Sequence, residues 1–210
     1  MTMKTVHMAV YDTLADWEVG AATAHLANNG WHREPGTFQV ATVGLSVEPI
    51  TTAGRLRVTP DLALADLDPA DSAMLILPGA DLWDGDALVP FAETARRFVD
   101  AGVPVAAICG ATFGLARAGL LDDRAHTSNA AEYLTYSGYS GGEHYVDAPA
   151  VTDRDVITAD SMSPFEFARE VFTRLEVSEP RIIEAWYQLF AHRDPAAYAV
   201  LAEYEAANAR

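Results

Sequence analysis

One stretch constrains the fold more than any other, because in it an apolar run ends at the chain's only cysteine and a helical pattern begins immediately afterwards. The stretch runs from Gly102 to Leu121 and reads GVPVAAICGATFGLARAGLL. The apolar run up to Ile108 predicts a buried strand, and the spacing of apolar residues after Cys109 predicts a helix. A strand that enters a helix through Cys–Gly has the geometry of a nucleophile elbow, in which Gly110 leaves room for a sharp turn.

Cys109 is the candidate nucleophile of this elbow. At the start of a helix it would lie beside free backbone N–H groups and the positive end of the helix dipole. We expect this position to lower the pKa of the thiol and make the reactive thiolate more available. A single buried cysteine is usually an inert small hydrophobic residue, and only the strand–Cys–Gly–helix pattern favours a reactive thiol here.

Short apolar strands alternate with helical patterns along the chain, which indicates an α/β fold with a parallel sheet. Strand patterns occupy residues 6–10, 38–43, 73–77 and 103–108, and an amphipathic helix pattern occupies residues 88–101. The run at 73–77 is apolar at every position, as expected of a strand covered by helices on both faces. The alternation predicts an open parallel α/β sandwich, whose sites lie at the carboxyl ends of its strands.

The end of the chain has a different pattern, with two predicted helices broken at Asp194 and Pro195. Its aromatic content exceeds what a solvated appendage needs, so we expect it to pack on the rest of the chain or on a second subunit. We predict one domain over residues 1–178 and a C-terminal helical extension over residues 179–210.

Charge and cysteine content exclude several kinds of partner. The chain has 210 residues with 30 acidic and 14 basic side chains, a formal net charge of -16, so a nucleic-acid backbone or an anionic membrane surface would be repelled. A single cysteine cannot form an internal disulfide, which favours a reducing compartment. No apolar run reaches the length of a membrane span. We expect a cytoplasmic protein with no nucleic-acid or membrane partner.

The sequence supports neither a metal site nor a cofactor site. It contains no HxxxH pair and no cluster of Cys and His at metal-ligand spacing. It also contains no phosphate-binding loop of the GxGxxG or GxxxxGK[ST] type. We therefore predict no metal and no cofactor.

Three loops follow three of the predicted strands, and in a parallel sheet their ends converge on one crevice. The loops read DTLADWE after the first strand, PGADLW after the strand at 73–77, and CGAT after the strand at 103–108. The backbone of Gly79 and Ala80, together with the N–H of Gly110, would form an oxyanion hole beside the cysteine.

The first of these loops supplies the candidate acid. Glu18, or failing it Asp16, would reach the sulfur from this loop. A carboxyl group there would be protonated when it donates to a thiolate, because a bare carboxylate would raise the pKa of the thiol. An acidic residue near a helix start is most often there to complement the helix dipole, and Glu18 is favoured only because its loop opens at the same sheet edge.

With these residues in hand, the chain resembles the ThiJ/PfpI superfamily, which shares the class I glutamine amidotransferase-like fold. The resemblance covers about the first 175 residues and is carried by four pieces: AICGATFGLARA, Pro78–Gly79, HTSN and the SPFEFA helix start. It implies a flavodoxin-like three-layer α/β/α sandwich and a homodimer. It also implies a nucleophile at Cys109, an acid at Glu18, and backbone oxyanion donors at Gly79 and Gly110.

Besides the nucleophile and the acid, many members of the family have a third residue in the site, and this chain departs from the family pattern there. Many members have a His after the elbow helix, in a Thr-Thr-His or Thr-Ser-His type of sequence, where this chain has Asn129. His126 precedes that position by three residues, and His144 matches another family segment that we interpret as structural. An amide orients a substrate but is not a general base near neutral pH, so an ordinary Cys–His pair is in question unless His126 or His144 reaches the sulfur.

Three functions remain open at this point. The first is a Cys-dependent hydrolase or lyase acting on a small electrophilic substrate, with Cys109 as nucleophile. The second is a non-catalytic redox or stress-response protein in which Cys109 is reversibly oxidised. The third is a binding module that has kept the crevice and lost the chemistry.

Overall fold

The fold is described from a computed structural model, which covers residues 3–27 and 30–208. The described residues include nine strands, numbered in chain order: β1 Lys4–Ala9, β2 Phe38–Gly44, β3 Ile50–Thr51, β4 Arg57–Val58, β5 Leu62–Ala63, β6 Met74–Leu77, β7 Val105–Ile108, β8 Ala150–Asp153 and β9 Val156–Ala159. The helices are α1 Asp16–Ala27, α2 Val89–Asp100, α3 Gly110–Arg117, α4 Ala131–Thr135, α5 Pro164–Arg174, α6 Pro180–His192 and α7 Pro195–Asn208.

Seven of these strands form one sheet in the order β5-β2-β1-β6-β7-β9-β8. Every neighbouring pair is parallel except β8 and β9, which form an antiparallel hairpin at the edge. The strands β3 and β4 form a separate small hairpin. The predicted flavodoxin-like α/β fold with a mainly parallel sheet is confirmed. Strands β1, β6 and β7 end side by side at one edge of the sheet.

Alternate side chains of the central strands pack into two hydrophobic cores, one on each face of the sheet. The molecule is therefore a three-layer sandwich. In β6, Met74 and Ile76 face the layer that contains α1, α5, α6 and α7. Leu75 and Leu77 face the layer that contains α2, α3 and α4. The period of two along a strand places successive side chains on opposite faces, so the uninterrupted apolar run in β6 reflects burial on both sides.

The C-terminal helices share the first of these cores. Trp186 of α6 is completely buried, and its ring lies 4.7 Å from that of Phe172 on α5 and 6.3 Å from that of Trp31. Leu201 and Tyr204 of α7 belong to the same buried cluster. Trp186, Tyr187 and Tyr204 of the tail therefore pack on the same chain, while the division into residues 1–178 and 179–210 stays a prediction. Within the described residues, no helix is both long and apolar enough to cross a membrane.

We expect Trp186→Ala to lower the free energy of unfolding by about 3–5 kcal/mol, because it removes a large side chain from a filled core. Tyr198→Ala is the matched control, since Tyr198 is an aromatic residue of α7 that is 64% exposed, and we expect it to change stability by less than about 0.5 kcal/mol. Urea unfolding followed by circular dichroism measures both. A separate unfolding transition for the C-terminal helices would contradict the shared core.

Candidate active site

The elbow predicted from the sequence is present in the structure, with Cys109 between the end of β7 and the first turn of α3. Its backbone has φ 58° and ψ −128°, a region that costs a non-glycine residue free energy and is held only when the surroundings enforce it. Here the Cys109 N–H donates to the Ala159 carbonyl at 2.9 Å, and the Thr112 hydroxyl donates to the Cys109 carbonyl at 2.6 Å. These bonds from both sides fix the corner that presents the half-buried thiol.

Glu18, on the first turn of α1, is the acid that the fold brings to this corner. Its side chain is fully buried, and its Oε2 accepts a hydrogen bond of 2.7 Å from the Gly79 N–H. Its Oε1 is not hydrogen-bonded to any described residue, and the carboxyl and the Cys109 thiol lie close enough for each to shift the pKa of the other. One carboxylate oxygen is therefore anchored, and the other is free to exchange a proton with the sulfur.

Gly79 is at this position because no side chain fits there. A Cβ at residue 79 would lie 2.6 Å from the Glu18 Oε2 and 2.7 Å from the Cys109 Cβ. The Gly79 carbonyl also accepts a hydrogen bond of 2.9 Å from the Ala15 N–H. Residue 79 thus joins the loop after β1 to the loop after β6 through both of its backbone groups.

The hydrogen bond to Glu18 changes which backbone groups are open to a substrate oxygen. The Gly79 N–H, one of the expected oxyanion donors, is occupied by the carboxylate. The neighbouring Ala80 N–H has no acceptor among the described residues. The Gly110 N–H begins α3, where it has no acceptor within the helix, and it lies against the sulfur, whose pKa it lowers. Ala80 and Gly110 are the donors that remain.

The protonation of the pair differs from the expectation. Burial raises the pKa of Glu18 to about 7, against the opposing effect of the neighbouring Cys109 thiol and the Gly79 N–H. Burial likewise raises the pKa of Cys109 to about 11; the Asn129 amide and the Gly110 N–H lower it, and the charge of Glu18 raises it further. The expectation that the helix start lowers the pKa of the thiol is wrong, because desolvation of the sulfur outweighs it.

Asn129 occupies the place of the third partner and contacts the sulfur. Its Nδ2 donates to the Cys109 Sγ at 3.3 Å, and its Oδ1 accepts from the Ser161 N–H at 2.9 Å. A backbone N–H only donates, so the amide oxygen must face Ser161 and the amide nitrogen must face the sulfur. Asn129 is therefore a hydrogen-bond donor to Cys109, and an amide neither takes nor gives a proton at neutral pH.

Asp16, the alternative acid, is directed elsewhere. Its Oδ2 accepts a hydrogen bond of 2.6 Å from the Gly54 N–H, in the turn between β3 and β4. Desolvation acts to raise its pKa, but the hydrogen bonds from Thr52 and Gly54 outweigh this and leave the pKa lowered. Asp16 thus fixes the small hairpin to the start of α1.

The two candidate histidines have partners away from Cys109. His126 is buried, with its Nδ1 2.8 Å from the Arg124 carbonyl and its Nε2 3.2 Å from the Tyr139 hydroxyl, and burial lowers its pKa. His144 has its Nε2 3.7 Å from a Glu143 carboxylate oxygen. No hydrogen bond between described residues links either histidine to the sulfur. Nor, in the described part of the chain, do three His, Cys, Asp or Glu side chains group as a metal site would need.

The sequence interpretation missed a buried aromatic pair that supports the loop after β6. Trp83 Nε1 donates to the Pro78 carbonyl at 2.9 Å, and the Tyr11 hydroxyl donates to the same carbonyl. Trp83 also packs on α3, where a Cβ at Gly114 would lie 2.2 Å from its ring. The pair fixes the peptide that precedes Gly79, and the only signal for it was an apolar Trp in the PGADLW loop.

We expect Glu18→Gln to become more stabilising, relative to the unmodified protein, as the pH rises. The folded state holds the Glu18 proton up to a pKa of about 7, so the stability from this carboxyl is complete below its ordinary pKa of 4.5 and is lost as the pH rises towards 7. Glutamine does not titrate, so the difference in unfolding free energy should grow by roughly 2–3 kcal/mol between pH 5 and pH 8.

Urea unfolding at the two pH values measures this difference. Glu143→Gln is the matched control, because the Glu143 side chain is 82% exposed and its substitution should leave the pH dependence unchanged. A Glu18→Gln difference that is equal at both pH values would contradict the raised pKa.

Comparison with known proteins places this site in a family. The model of the DJ-1/PfpI family matches residues 4–174. A Bacillus subtilis protein described as the uncharacterized protease YoaZ is 37% identical over 93% of this chain and 94% of its own. The Caenorhabditis elegans glutathione-independent glyoxalase DJR-1.2 is 28% identical over 69% of this chain and 77% of its own. A crystal structure of a thiJ/pfpI family protein from Bacillus anthracis, 37% identical, superimposes with a TM-score of 0.89 over 97% of this chain and 99% of that one. The chain belongs to the DJ-1/PfpI family.

Proposed function

We propose that the protein is a Cys-dependent enzyme of the hydrolase or lyase type that acts on a small electrophilic molecule. The observation that carries the proposal is the buried carboxyl of Glu18, held by Gly79 with one oxygen free beside the Cys109 thiol. A carboxyl group with a pKa of about 7 is matched to general acid–base catalysis near neutral pH. A carboxyl group that only complemented a helix dipole would gain nothing from such burial.

The first step of the proposed reaction is addition of the sulfur to an electrophilic carbon. The Cys109 sulfur forms the new bond, and the π electron pair of the carbonyl moves to its oxygen. The thiol proton passes to the free oxygen of the Glu18 carboxylate. Because the pKa of Cys109 is raised to about 11, the thiol keeps its proton in the resting state, and attack requires the carboxylate to accept it.

The negative charge that develops on the substrate oxygen needs donors that are fixed before the reaction. The Ala80 and Gly110 N–H groups are proposed for this role, since Gly79 already donates to Glu18. Ala80 lies in the loop after β6 and Gly110 begins α3, and Trp83 fixes the first of these segments through the Pro78 carbonyl.

The names of the relatives are compatible with this step. A protease and a glyoxalase both act at carbonyl carbons, one in an amide and the other in an α-oxo aldehyde. The two reactions differ after the addition step. Cleavage of an amide releases an amine that must be protonated, whereas conversion of an α-oxo aldehyde releases no amine. Among the described residues whose interaction shifts the pKa of Cys109, Glu18 is the one that titrates. This favours reactions in which the proton taken from the thiol returns to the atoms of the same adduct.

We expect Cys109→Ser to abolish turnover and Glu18→Gln to lower kcat/KM by roughly 10²–10⁴-fold, measured on a panel of α-oxo aldehydes, small amides, nitriles and isocyanides. Turnover by the unmodified protein should rise with pH through an inflection near 7, because only the ionised Glu18 accepts the thiol proton. Glu143→Gln should retain full activity and the same pH profile. Unchanged turnover in Cys109→Ser would refute the proposal.

A redox function is the second candidate, favoured by the N–H donors of Asn129 and Gly110 around a half-exposed sulfur. These donors would hold the oxygens of an oxidised cysteine. The raised pKa of Cys109 counts against it, since the thiolate is the form that attacks the O–O bond of peroxide. If the protein senses oxidants, low peroxide should convert Cys109 to a sulfenic or sulfinic acid that intact-mass analysis detects; resistance of Cys109 would exclude sensing.

We also propose a substrate class, a cellular location and an oligomeric state for the enzyme. Its substrate is a small molecule, its location is cytoplasmic, and its assembly is a homodimer. The exposed apolar side chains Leu56 and Met162 support an interface between subunits, and a lone cysteine supports a reducing compartment.

A further inference from the structure

We propose that Trp17 is a positioning residue of the site, which acts through the backbone of Ser161 to hold the Asn129 amide against the Cys109 sulfur. The inference rests on the proposed role of Cys109 as the nucleophile. Trp17 neither contacts the Cys109 sulfur nor belongs to the elbow.

Three hydrogen bonds form the connection. The Trp17 Nε1 donates to the Ser161 carbonyl at 3.1 Å. The Ser161 N–H donates to the Asn129 Oδ1 at 2.9 Å, and the Asn129 Nδ2 donates to the Cys109 Sγ at 3.3 Å. A single residue of the loop between β9 and α5 therefore receives Trp17 on one backbone group and holds Asn129 with the other.

The rest of that loop has its own restraints, which leaves Ser161 as the point where an external contact matters. Asp160 accepts hydrogen bonds from the Met162 N–H at 2.7 Å and from the Ser163 hydroxyl at 3.0 Å. Among the described residues, the backbone of Ser161 is bonded to Trp17 and Asn129 alone. Loss of the indole N–H would release the Ser161 carbonyl while the turn around it stays formed.

The exposure of Trp17 makes a purely structural role a poor account of this residue. Its side chain is 60% exposed, whereas Trp31, Trp83 and Trp186 are at most 3% exposed. An indole this exposed contributes little to the core, and water would satisfy its N–H equally well. What the bond to Ser161 adds is a fixed distance between α1, which carries Glu18, and the loop that orients Asn129.

The consequence for the sulfur is electrostatic. Glu18 places a negative charge beside Cys109, and the Asn129 N–H opposes it by stabilising the thiolate. The amide does this only while its oxygen is held by Ser161, because a rotated amide would present its oxygen to the sulfur. Trp17 thus affects how readily the sulfur ionises, without touching it.

The test is the rate at which iodoacetamide alkylates Cys109 at pH 8–9, a reaction that requires the thiolate and no turnover. We expect Asn129→Asp, which has nearly the same size and places an oxygen at the sulfur, to slow alkylation at least tenfold, the effect of one pKa unit. Trp17→Phe, which keeps a ring and loses the N–H, should slow it about two- to fivefold, as a partial loss of the same donor. Glu143→Gln should leave the rate unchanged.

A double-mutant cycle shows whether Trp17 acts through Asn129. In an Asn129→Ala background, Trp17→Phe should cause no further change in the alkylation rate, with unfolding midpoints that match those of the parent variants. Equal effects of Trp17→Phe in both backgrounds would overturn the proposal, as would faster alkylation in Asn129→Asp. Because the readout is alkylation, failure of this inference is distinguishable from failure of the proposed enzymatic function, which is judged by turnover.

Discussion

A carboxyl group as deeply buried as that of Glu18 needs a hydrogen-bond donor within the protein, and the Gly79 N–H supplies it at 2.7 Å. This bond joins the start of α1 to the loop after β6. It leaves the second oxygen for the Cys109 thiol. It also removes the Gly79 N–H from the set of groups that a substrate can reach. The reach of the carboxyl and the set of N–H groups left free beside the thiol follow from this contact, whereas burial opposes it and raises the pKa of Glu18 to about 7.

The sheet makes the contact possible because β1, β6 and β7 are parallel neighbours and end at one edge. The loops that follow these strands approach each other closely at Gly79, where a Cβ atom would collide with Glu18 and Cys109. Beneath them, Trp83 and Tyr11 both donate to the Pro78 carbonyl. The loop is thus fixed from the core side, and its Gly79 N–H reaches Glu18 at the edge where the strands end.

How far the sequence predicts this site depends on the kind of feature. Topology was accessible, since the apolar run in β6 and the strand–Cys–Gly–helix pattern identify the sheet edge and place Cys109 on it. Glu18 was preferred to Asp16 only through the position of its loop and the family resemblance. Residues two apart on a helix point in different directions, and the packed helix shows that Glu18 is the one that faces inward. The acid that points outward binds Gly54 instead.

Other features depend on distances between segments far apart in the chain and were beyond the sequence. The pKa of Cys109 was expected to fall because the helix start is local and visible, whereas the burial that raises it comes from the assembled crevice. Likewise, no pattern indicates that Glu18 takes the Gly79 N–H, or that Trp17 reaches Ser161 across 144 positions. The residues that make such contacts belong to no sequence motif, and only their positions in the folded chain bring them together.

The replacement of a titratable partner by Asn129 changes what the site is able to do. A histidine would give the crevice two groups that exchange protons, whereas here the amide is fixed by Ser161 and only donates. In the proposed reaction, the single carboxyl both accepts the thiol proton and returns it. Reactions in which that proton goes back to the atoms of the same adduct suit this arrangement, and reactions that must protonate a departing amine while activating water place two demands on one group. The chemistry of the site is therefore set as much by the amide that cannot titrate as by the thiol and the acid that can.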